Sequence, residues 1–113
     1  MICFRSCRRL VLALAGLSLA VLAAAPLHAA DAPSVKIENF AFTPPVLTVK
    51  VGTTVTFEND DDIPHLVVAS DASFRSKALD TGDTYALTFT KAGEYAYYCG
   101  LHPHMQGKIT VAP

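Results

Sequence analysis

A thiol, an imidazole and a thioether lie within seven residues near the C-terminal end of the sequence. They belong to Cys99, His102 and Met105, which are spaced as Cys-x-x-His-x-x-Met after an aromatic run. A thiolate, an imidazole and a weak thioether form a soft ligand set, which suits copper better than zinc, calcium or magnesium. Trigonal copper sites of this kind need two histidines beside the cysteine, with the methionine as a long axial ligand. The chain must therefore supply a second histidine from another element.

The best candidate for this second histidine is His65. It follows Pro64 and begins a short apolar segment, 34 residues before Cys99. In a sandwich of two sheets, the start of one strand can lie beside the end of another strand. Pro64 has a fixed φ and favours an extended residue before it, which would help to hold a ligand rigid. We therefore predict that His65 completes the ligand set.

His104 competes with His102 within the loop that follows Cys99. Steps of three residues from Cys99 to His102 to Met105 let a loop fold back over one ion, whereas His104 adjoins Met105. We therefore predict His102 as the ligand and His104 as a surface residue near the site. Each ligand taken alone has a plainer interpretation: His65 as a strand-edge histidine, Met105 as core filler and Cys99 as a small buried hydrophobe.

The N-terminal residues are typical of a secretory signal peptide, which we predict over residues 1–30. Three arginines precede the mostly apolar segment 10–25 and small residues follow it, so cleavage is expected after Ala29 or Ala30. The apolar run of 16 residues is shorter than the roughly 20 residues of a membrane-spanning helix. A retained membrane anchor is the alternative. Arg8-Arg9 suggests the twin-arginine export route, although the surrounding pattern matches it poorly.

Removal of this segment leaves one domain, residues 31–113, with a different balance of charge. Its 83 residues carry 6 Lys and Arg against 10 Asp and Glu, a net charge of −4. That charge disfavours nucleic acid and anionic lipid as partners. Cys99 becomes the only cysteine, and a lone cysteine in an exported protein is either a free thiol or a metal ligand. These features predict a soluble periplasmic protein without stable membrane insertion.

Alternation of apolar and polar residues predicts strands through almost the whole of this domain. The alternation shifts its parity at Asn39-Phe40, which indicates a bulge or a bend. Residues 70–83 have no clean period and are predicted to form a long connection. Seven to eight short strands, with no helical stretch of useful length, predict an all-β fold, an antiparallel β-sandwich. Cys99 shares a strand face with Tyr95 and Tyr97, so its sulfur is expected on the packing side.

The residues around the motif resemble those of the cupredoxins, a family of blue-copper proteins, and within it the amicyanin and plastocyanin groups. Ala92 to Cys99 resembles the strand that leads to the family's copper cysteine, and Pro64-His65 matches its first histidine. The spacing from Cys99 through Gly107 is similar to the short loop of amicyanins. The resemblance covers Val35 to Val111 and implies a cupredoxin-like Greek-key sandwich. It also implies one type 1 copper ion at one pole, bound by His65, Cys99, His102 and Met105.

Three departures from the family pattern concern the surroundings of this site. Leu66 follows the first histidine where the family usually has asparagine, whose polar groups tie the ligand strands together. The connection 70–83 is shorter than usual, so one edge strand is expected to be missing. His104 stands where amicyanins tend to have an aromatic residue. The first departure bears on the redox potential, because hydrogen bonds around the ligands tune the metal.

The resemblance implies electron transfer by Cu(II)/Cu(I) cycling in a small monomer, with redox donor and acceptor proteins docking transiently at the copper pole. The expected electron port is the edge of His102, among Leu101, Pro103 and Pro64. The acidic cluster Asp60-Asp61-Asp62 could steer a basic partner, and a solvated turn is its plainer interpretation.

Two other functional classes are alternatives to electron transfer. A periplasmic copper carrier or buffer would use the same ligands to deliver the metal. A metal-free interaction module would use the sandwich only as a scaffold. An enzyme is not expected, because four protein ligands leave a substrate no open coordination position.

Overall fold

Two four-stranded sheets form the protein in a computed structural model, which describes Gly16 and residues 32–113. Apart from Gly16, the signal peptide predicted for residues 1–30 lies outside the described residues. The strands, numbered in chain order, are β1 (Ser34–Glu38), β2 (Ala41–Thr43), β3 (Val46–Lys50), β4 (Thr54–Asn59), β5 (Val67–Ala69), β6 (Thr84–Thr88), β7 (Gly93–Cys99) and β8 (Gln106–Ala112). Among residues 32–113, no helix is long and apolar enough to cross a membrane.

The predicted all-β sandwich is confirmed, and its strand directions are mixed. One sheet has the order β2-β1-β4-β6 and the other the order β3-β8-β7-β5. Four strand pairings are antiparallel, while β1 pairs with β4 and β3 pairs with β8 in parallel. Parallel neighbours arise because the chain crosses between the sheets before it returns, and the alternation pattern of a single strand carries no information on such crossings.

The core lies between the sheets and contains the inward residues of both. On β7 the alternation places Tyr97 and Cys99 inside, at 1% and 0% exposure, as the sequence predicts. The Tyr97 ring packs edge-on against Phe42 and Phe57. Its hydroxyl is buried and has no hydrogen-bond partner among the described residues. Gly107 lies directly opposite Tyr97 on β8, which leaves room for the tyrosine ring.

The parity shift at Asn39-Phe40 is a tight hairpin turn. Glu38 pairs with Ala41 across β1 and β2, so only two residues form the loop. Asn39 and Phe40 both have positive φ angles, 52° and 58°. Two consecutive residues of positive φ are the signature of the type I′ turn, which normally uses Asn-Gly. The bend that the sequence predicts is therefore confirmed, with a phenylalanine where glycine is usual.

The connection 70–83 forms no named strand and runs beside β5, an edge strand of its sheet. It touches that edge through two isolated bridges, His65 with Leu79 and Val68 with Arg75. The buried hydroxyl of Ser76 accepts the N–H of Val67 at 2.9 Å and donates to the carbonyl of Lys77 at 2.7 Å. The short connection thus covers the edge without a further strand, in agreement with the missing edge strand.

Candidate metal centre

Three side chains from separate parts of the chain meet at one end of the sandwich. Cys99 ends β7, His65 precedes β5, and His102 lies in the loop between β7 and β8. β5 and β7 are neighbours, with Val67 opposite Cys99, which brings His65 beside the cysteine. Cys99 Sγ lies 3.5 Å from Nδ1 of His65 and 3.6 Å from Nδ1 of His102. The ligand atoms of all three residues lie within 4.8 Å of one another.

These separations fit a single metal ion between the three donors. Donors that bind one ion at about 2.0–2.3 Å, spread about 120° apart, lie roughly 3.5–3.8 Å from each other. Among the described residues, His65 and Cys99 are fully buried and His102 is partly buried, so His102 is the member of the cluster that solvent reaches. A buried thiol between two imidazoles matches the His₂Cys donor set that favours copper over hard cations.

A carboxylate orients the imidazole of His65. Nε2 of His65 lies 2.7 Å from Oδ2 of Asp61. If that nitrogen donates its proton to the carboxylate, Nδ1 is left with a free lone pair that faces Cys99. The backbone of His65 is held as well, because its N–H donates to Leu79 O at 3.0 Å and its carbonyl accepts the N–H of Leu79 at 2.7 Å. His65 is therefore fixed both at its ring and at its main chain.

Asp61 is bound on several sides and is not a free surface charge. Besides His65, its carboxylate accepts the backbone N–H groups of Asn39 at 2.7 Å and Phe40 at 3.1 Å. Burial raises the pKa of Asp61, but the hydrogen bonds from Phe40, His65 and Asn39 outweigh it, so the pKa lies below its ordinary value. Asp61 therefore differs from a solvated aspartate of an acidic turn, because its carboxylate is held by three N–H groups of the protein. Whether Asp60-Asp61-Asp62 steers a partner stays a prediction.

The other two aspartates of this cluster differ from each other. Asp60 pairs with Lys36 at 3.1 Å, and Lys36 also pairs with Glu58 at 3.1 Å. Asp62 is exposed. Asp62 is therefore the member of the cluster best placed to act on a partner's charge.

Asn59, at the end of β4, builds the turn that carries Asp61. It is fully buried, and its Nδ2 donates to the carbonyls of Ile63 and Leu79, both at 2.8 Å. Its Oδ1 accepts the backbone N–H of Asp61 at 2.9 Å. The bonds with Ile63 and Asp61 close the 59–63 turn, and the bond to Leu79 ties that turn to the connection 70–83. A buried amide with its hydrogen bonds satisfied stabilises one loop geometry.

The loop after Cys99 closes on itself through its main chain. The N–H of His102 donates to Cys99 O at 3.2 Å, and the N–H of Met105 donates to His102 O at 2.9 Å. The N–H of Cys99 in turn donates to Met105 O at 3.0 Å. Met105 is buried at 2% exposure, while His104 is exposed, with its ring centroid 6.4 Å from that of His102. The structure thus brings His102, and not His104, to the cysteine.

Leu66 makes an apolar contact at the position where the family usually has a hydrogen-bonding asparagine. A Cβ at Gly100 would lie 2.5 Å from Cδ2 of Leu66, so the glycine makes room for the leucine. The main chain supplies the tie between the two segments: the N–H of Gly100 donates to Leu66 O at 2.9 Å. The N–H of Leu66 lies 3.5 Å from Cys99 Sγ and points at the thiolate position. The ligand segments are therefore joined without the asparagine side chain.

Sequence reasoning missed three residues that support the site, namely Asn59, Asp61 and Phe40. An acid four residues before a predicted histidine ligand is a usable signal for Asp61, since metal-bound histidines usually donate to a carboxylate or carbonyl. The Asn39-Phe40 pair between two alternating runs could have identified the hairpin. Asn59 before an acidic turn is typical of an asparagine that hydrogen-bonds the backbone two residues on, but its burial and its bond to Leu79 depend on a distant connection.

A buried His₂Cys cluster at one end of a two-sheet β-sandwich defines a mononuclear soft-metal protein. Comparison with known proteins specifies the class. The chain belongs to the cupredoxin-like domain family, whose model matches residues 10–111.

Curated relatives and solved structures agree with this family. The chain is 37% identical over 95 residues to an amicyanin of Paracoccus versutus, covering 76% of this chain and 72% of the relative. It is 39% identical over 118 residues to the chloroplastic plastocyanin of Chlamydomonas reinhardtii, covering 89% of this chain and 81% of the relative. A solved structure of an amicyanin mutant in its oxidized state matches with a TM-score of 0.68 at 38% identity, covering 72% of this chain and 82% of that one.

Proposed function

We propose that this protein is a small exported electron carrier that holds one type 1 copper ion. The observation that carries the proposal is the convergence of two imidazole nitrogens on a buried cysteine sulfur, at 3.5 and 3.6 Å. His65, Cys99 and His102 would hold the ion, with Met105 as a weaker fourth donor. Copper bound there would supply one-electron chemistry between Cu(II) and Cu(I). The amicyanin and plastocyanin relatives support this assignment.

The protein's own contribution is to hold the donors in a constant arrangement. Burial excludes water from the thiolate of Cys99, and the N–H of Leu66 at 3.5 Å helps to stabilise its negative charge. Asp61 holds the ring of His65, and the closed loop holds His102. A donor set that does not rearrange suits fast electron exchange. Four protein donors also leave no open position for a substrate, so we propose no enzymatic activity.

Redox partners dock at the His102 side of the site, where an exposed apolar surface surrounds that residue. Leu101 is 52% exposed and Phe40 is 50% exposed, and Pro64 and Pro103 are also exposed. A small apolar surface favours brief encounters, because weak redox complexes bury little area. Periplasmic location, a monomeric state and transient docking of donor and acceptor proteins belong to the same proposal.

Cu(II) titration of the 31–113 domain tests the proposed function directly. We expect one equivalent of copper to give an intense blue colour, because Cys99 binds as a thiolate beside two imidazoles. Cys99→Ser should lose that colour, whereas His104→Ala should keep it. Visible and EPR spectra measure both. A colourless wild-type complex would contradict the proposal, and rapid loss of copper to a chelator would favour the copper carrier instead.

Asp62 is expected to steer cationic redox partners. One unit charge about 8 Å from an approaching ion changes its energy by roughly 0.5 kcal/mol in water, or about twofold in rate. Asp62→Asn should therefore slow oxidation by a cationic cobalt complex by about twofold per unit of its charge at low salt, and should accelerate oxidation by ferricyanide, a trianion, by a comparable factor per charge. The difference should vanish at high ionic strength. Equal salt dependence of wild type and variant in stopped-flow measurements would disprove steering.

A further inference from the structure

Phe40 occupies a backbone position that suits glycine. It is the second residue of the two-residue β1–β2 turn, with φ at 58°, and Asn39 before it has φ at 52°. Turns of this geometry favour Asn-Gly, because only glycine adopts positive φ without a steric penalty, and a bulky residue there is an outlier. Backbone strain of this kind collects at functional sites, where the surrounding structure maintains it. The strain at Phe40 therefore points to a role for its ring.

The ring of Phe40 stands against both proposed imidazole ligands. Its centroid lies 5.3 Å from that of His102, at an interplanar angle of 90°, and 5.9 Å from that of His65, at 84°. Both are edge-to-face contacts in the range where aromatic pairs attract. Half of Phe40 is exposed, so core packing does not explain the choice of a large aromatic residue there.

His102 depends on this contact more than His65 does. His65 is fully buried and bound by Asp61, whereas His102 is partly exposed and lies in a loop. Apart from the contact of its ring with Cys99, the hydrogen bonds of His102 within residues 32–113 are those of its main chain. The rings of His65 and His104 also lie near His102, but they belong to the proposed ligands and to the ligand loop. Within the described residues, Phe40 is the one other aromatic ring that contacts His102.

The support of Phe40 is linked to the support of His65 through one carboxylate. Asp61 accepts the backbone N–H of Phe40 at 3.1 Å and of Asn39 at 2.7 Å while it contacts Nε2 of His65 at 2.7 Å. These bonds hold the hairpin in its unfavourable conformation directly above the site. The carboxylate of Asp61 therefore holds the imidazole of His65 and also places the ring of Phe40 against His102.

We propose that Phe40 is a positioning residue for the metal centre: held by Asp61, its ring braces the imidazole of His102 in the geometry that binds copper. The inference rests on the proposed function, since it assigns a support to one of its ligands. The strained backbone of Phe40 is the cost of placing an aromatic ring where glycine would give a more stable turn.

Phe40→Gly separates this role from a purely structural one. The variant restores the favoured Asn-Gly turn, so the metal-free domain should melt at the same or a higher temperature. The copper-loaded variant should nevertheless release its metal to a chelator about tenfold faster, on the scale of two lost aromatic contacts. Its EPR and visible spectra should shift as His102 gains freedom. None of these measurements involves a protein partner, so an effect on docking does not enter.

Asn39→Gly is the matched control. It introduces a glycine into the same turn, at the position where asparagine already fits, and keeps both the Phe40 ring and the backbone donors to Asp61, so copper release and spectra should equal those of wild type. Phe40→Ala removes the ring without relaxing the turn and should also release copper faster. Unchanged release and spectra in Phe40→Gly would overturn the inference, as would a loss of metal-free stability that accounts for faster release. A wild-type protein that forms no blue complex would instead overturn the proposed function.

Discussion

Replacing Asp61 with asparagine is expected to weaken copper binding by about 10–100-fold, the usual effect of removing a carboxylate that orients a histidine ligand. The carboxylate accepts three N–H groups, from His65, Asn39 and Phe40. An asparagine has one oxygen to share among them, and its NH₂ group would point at a donor. Competition with a chelator of known affinity measures the change. Asp62→Asn is the control, because that neighbouring side chain is exposed and should leave copper affinity unaltered.

The same substitution should also destabilise the metal-free domain. Hydrogen bonds to a charged acceptor each contribute about 1.5–3 kcal/mol, so a loss of at least about 1.5 kcal/mol in unfolding free energy is expected. Because the folded-state pKa of Asp61 lies below its ordinary value of 3.8, this stabilisation is present above that pH and is lost as the pH falls through the lowered value. Urea unfolding near neutral pH measures the difference. Wild-type copper affinity in Asp61→Asn would show that His65 needs no partner at Nε2.

Gly107→Ala is expected to be the most damaging single methyl addition in the described part of the chain. A Cβ at position 107 would lie 2.3 Å from both Cζ and Oη of Tyr97. The tyrosine cannot retreat easily, because it is 1% exposed and its ring is packed against Phe42 and Phe57. Overpacking of this kind costs about 1–3 kcal/mol, and sometimes more. For a domain of this size, that corresponds to a melting temperature roughly 4–20 °C lower.

A double-mutant cycle identifies the cause of this loss. Tyr97→Leu is itself destabilising, but it removes the ring atoms that the new methyl group would meet. Gly107→Ala should therefore cost less in the Tyr97→Leu background than in wild type, a non-additivity typical of residues in contact. Thermal unfolding of the four proteins gives the coupling. Additive effects would mean that the penalty arises from the β8 backbone and not from the clash.

The packing of Tyr97 shows how the metal centre depends on the sheets. Tyr97 and Cys99 lie on the same face of β7, so the strand that supplies the thiol is anchored in the core two residues earlier. Pairing with β5 then sets the distance to His65, and the start of β8 follows directly after Met105. The ligand loop is therefore short because both of its ends are fixed by the same sheet.

The local pattern carries much of this information. Alternation along 95–99 places the Cys99 sulfur on the packing side, and the three-residue steps to His102 and Met105 distinguish His102 from His104. Pro64-His65 before an apolar run indicates the histidine that the structure places beside Cys99 and His102. These features depend on neighbours within a few residues, and strand periodicity and loop spacing express them directly.

What the sequence determined by itself is therefore the all-β class, the cluster of His65, Cys99 and His102, and the preference of such a donor set for copper. Tertiary structure alone decided the parallel pairings, the inward turn of Asp61 and the placement of Phe40 over His65 and His102. The physical reason is that each of these depends on contacts between residues far apart in the sequence, or on a turn whose strain a distant carboxylate maintains. An acidic turn and an exposed phenylalanine look like solvent-facing residues until the β1–β2 hairpin is packed against the 59–65 segment.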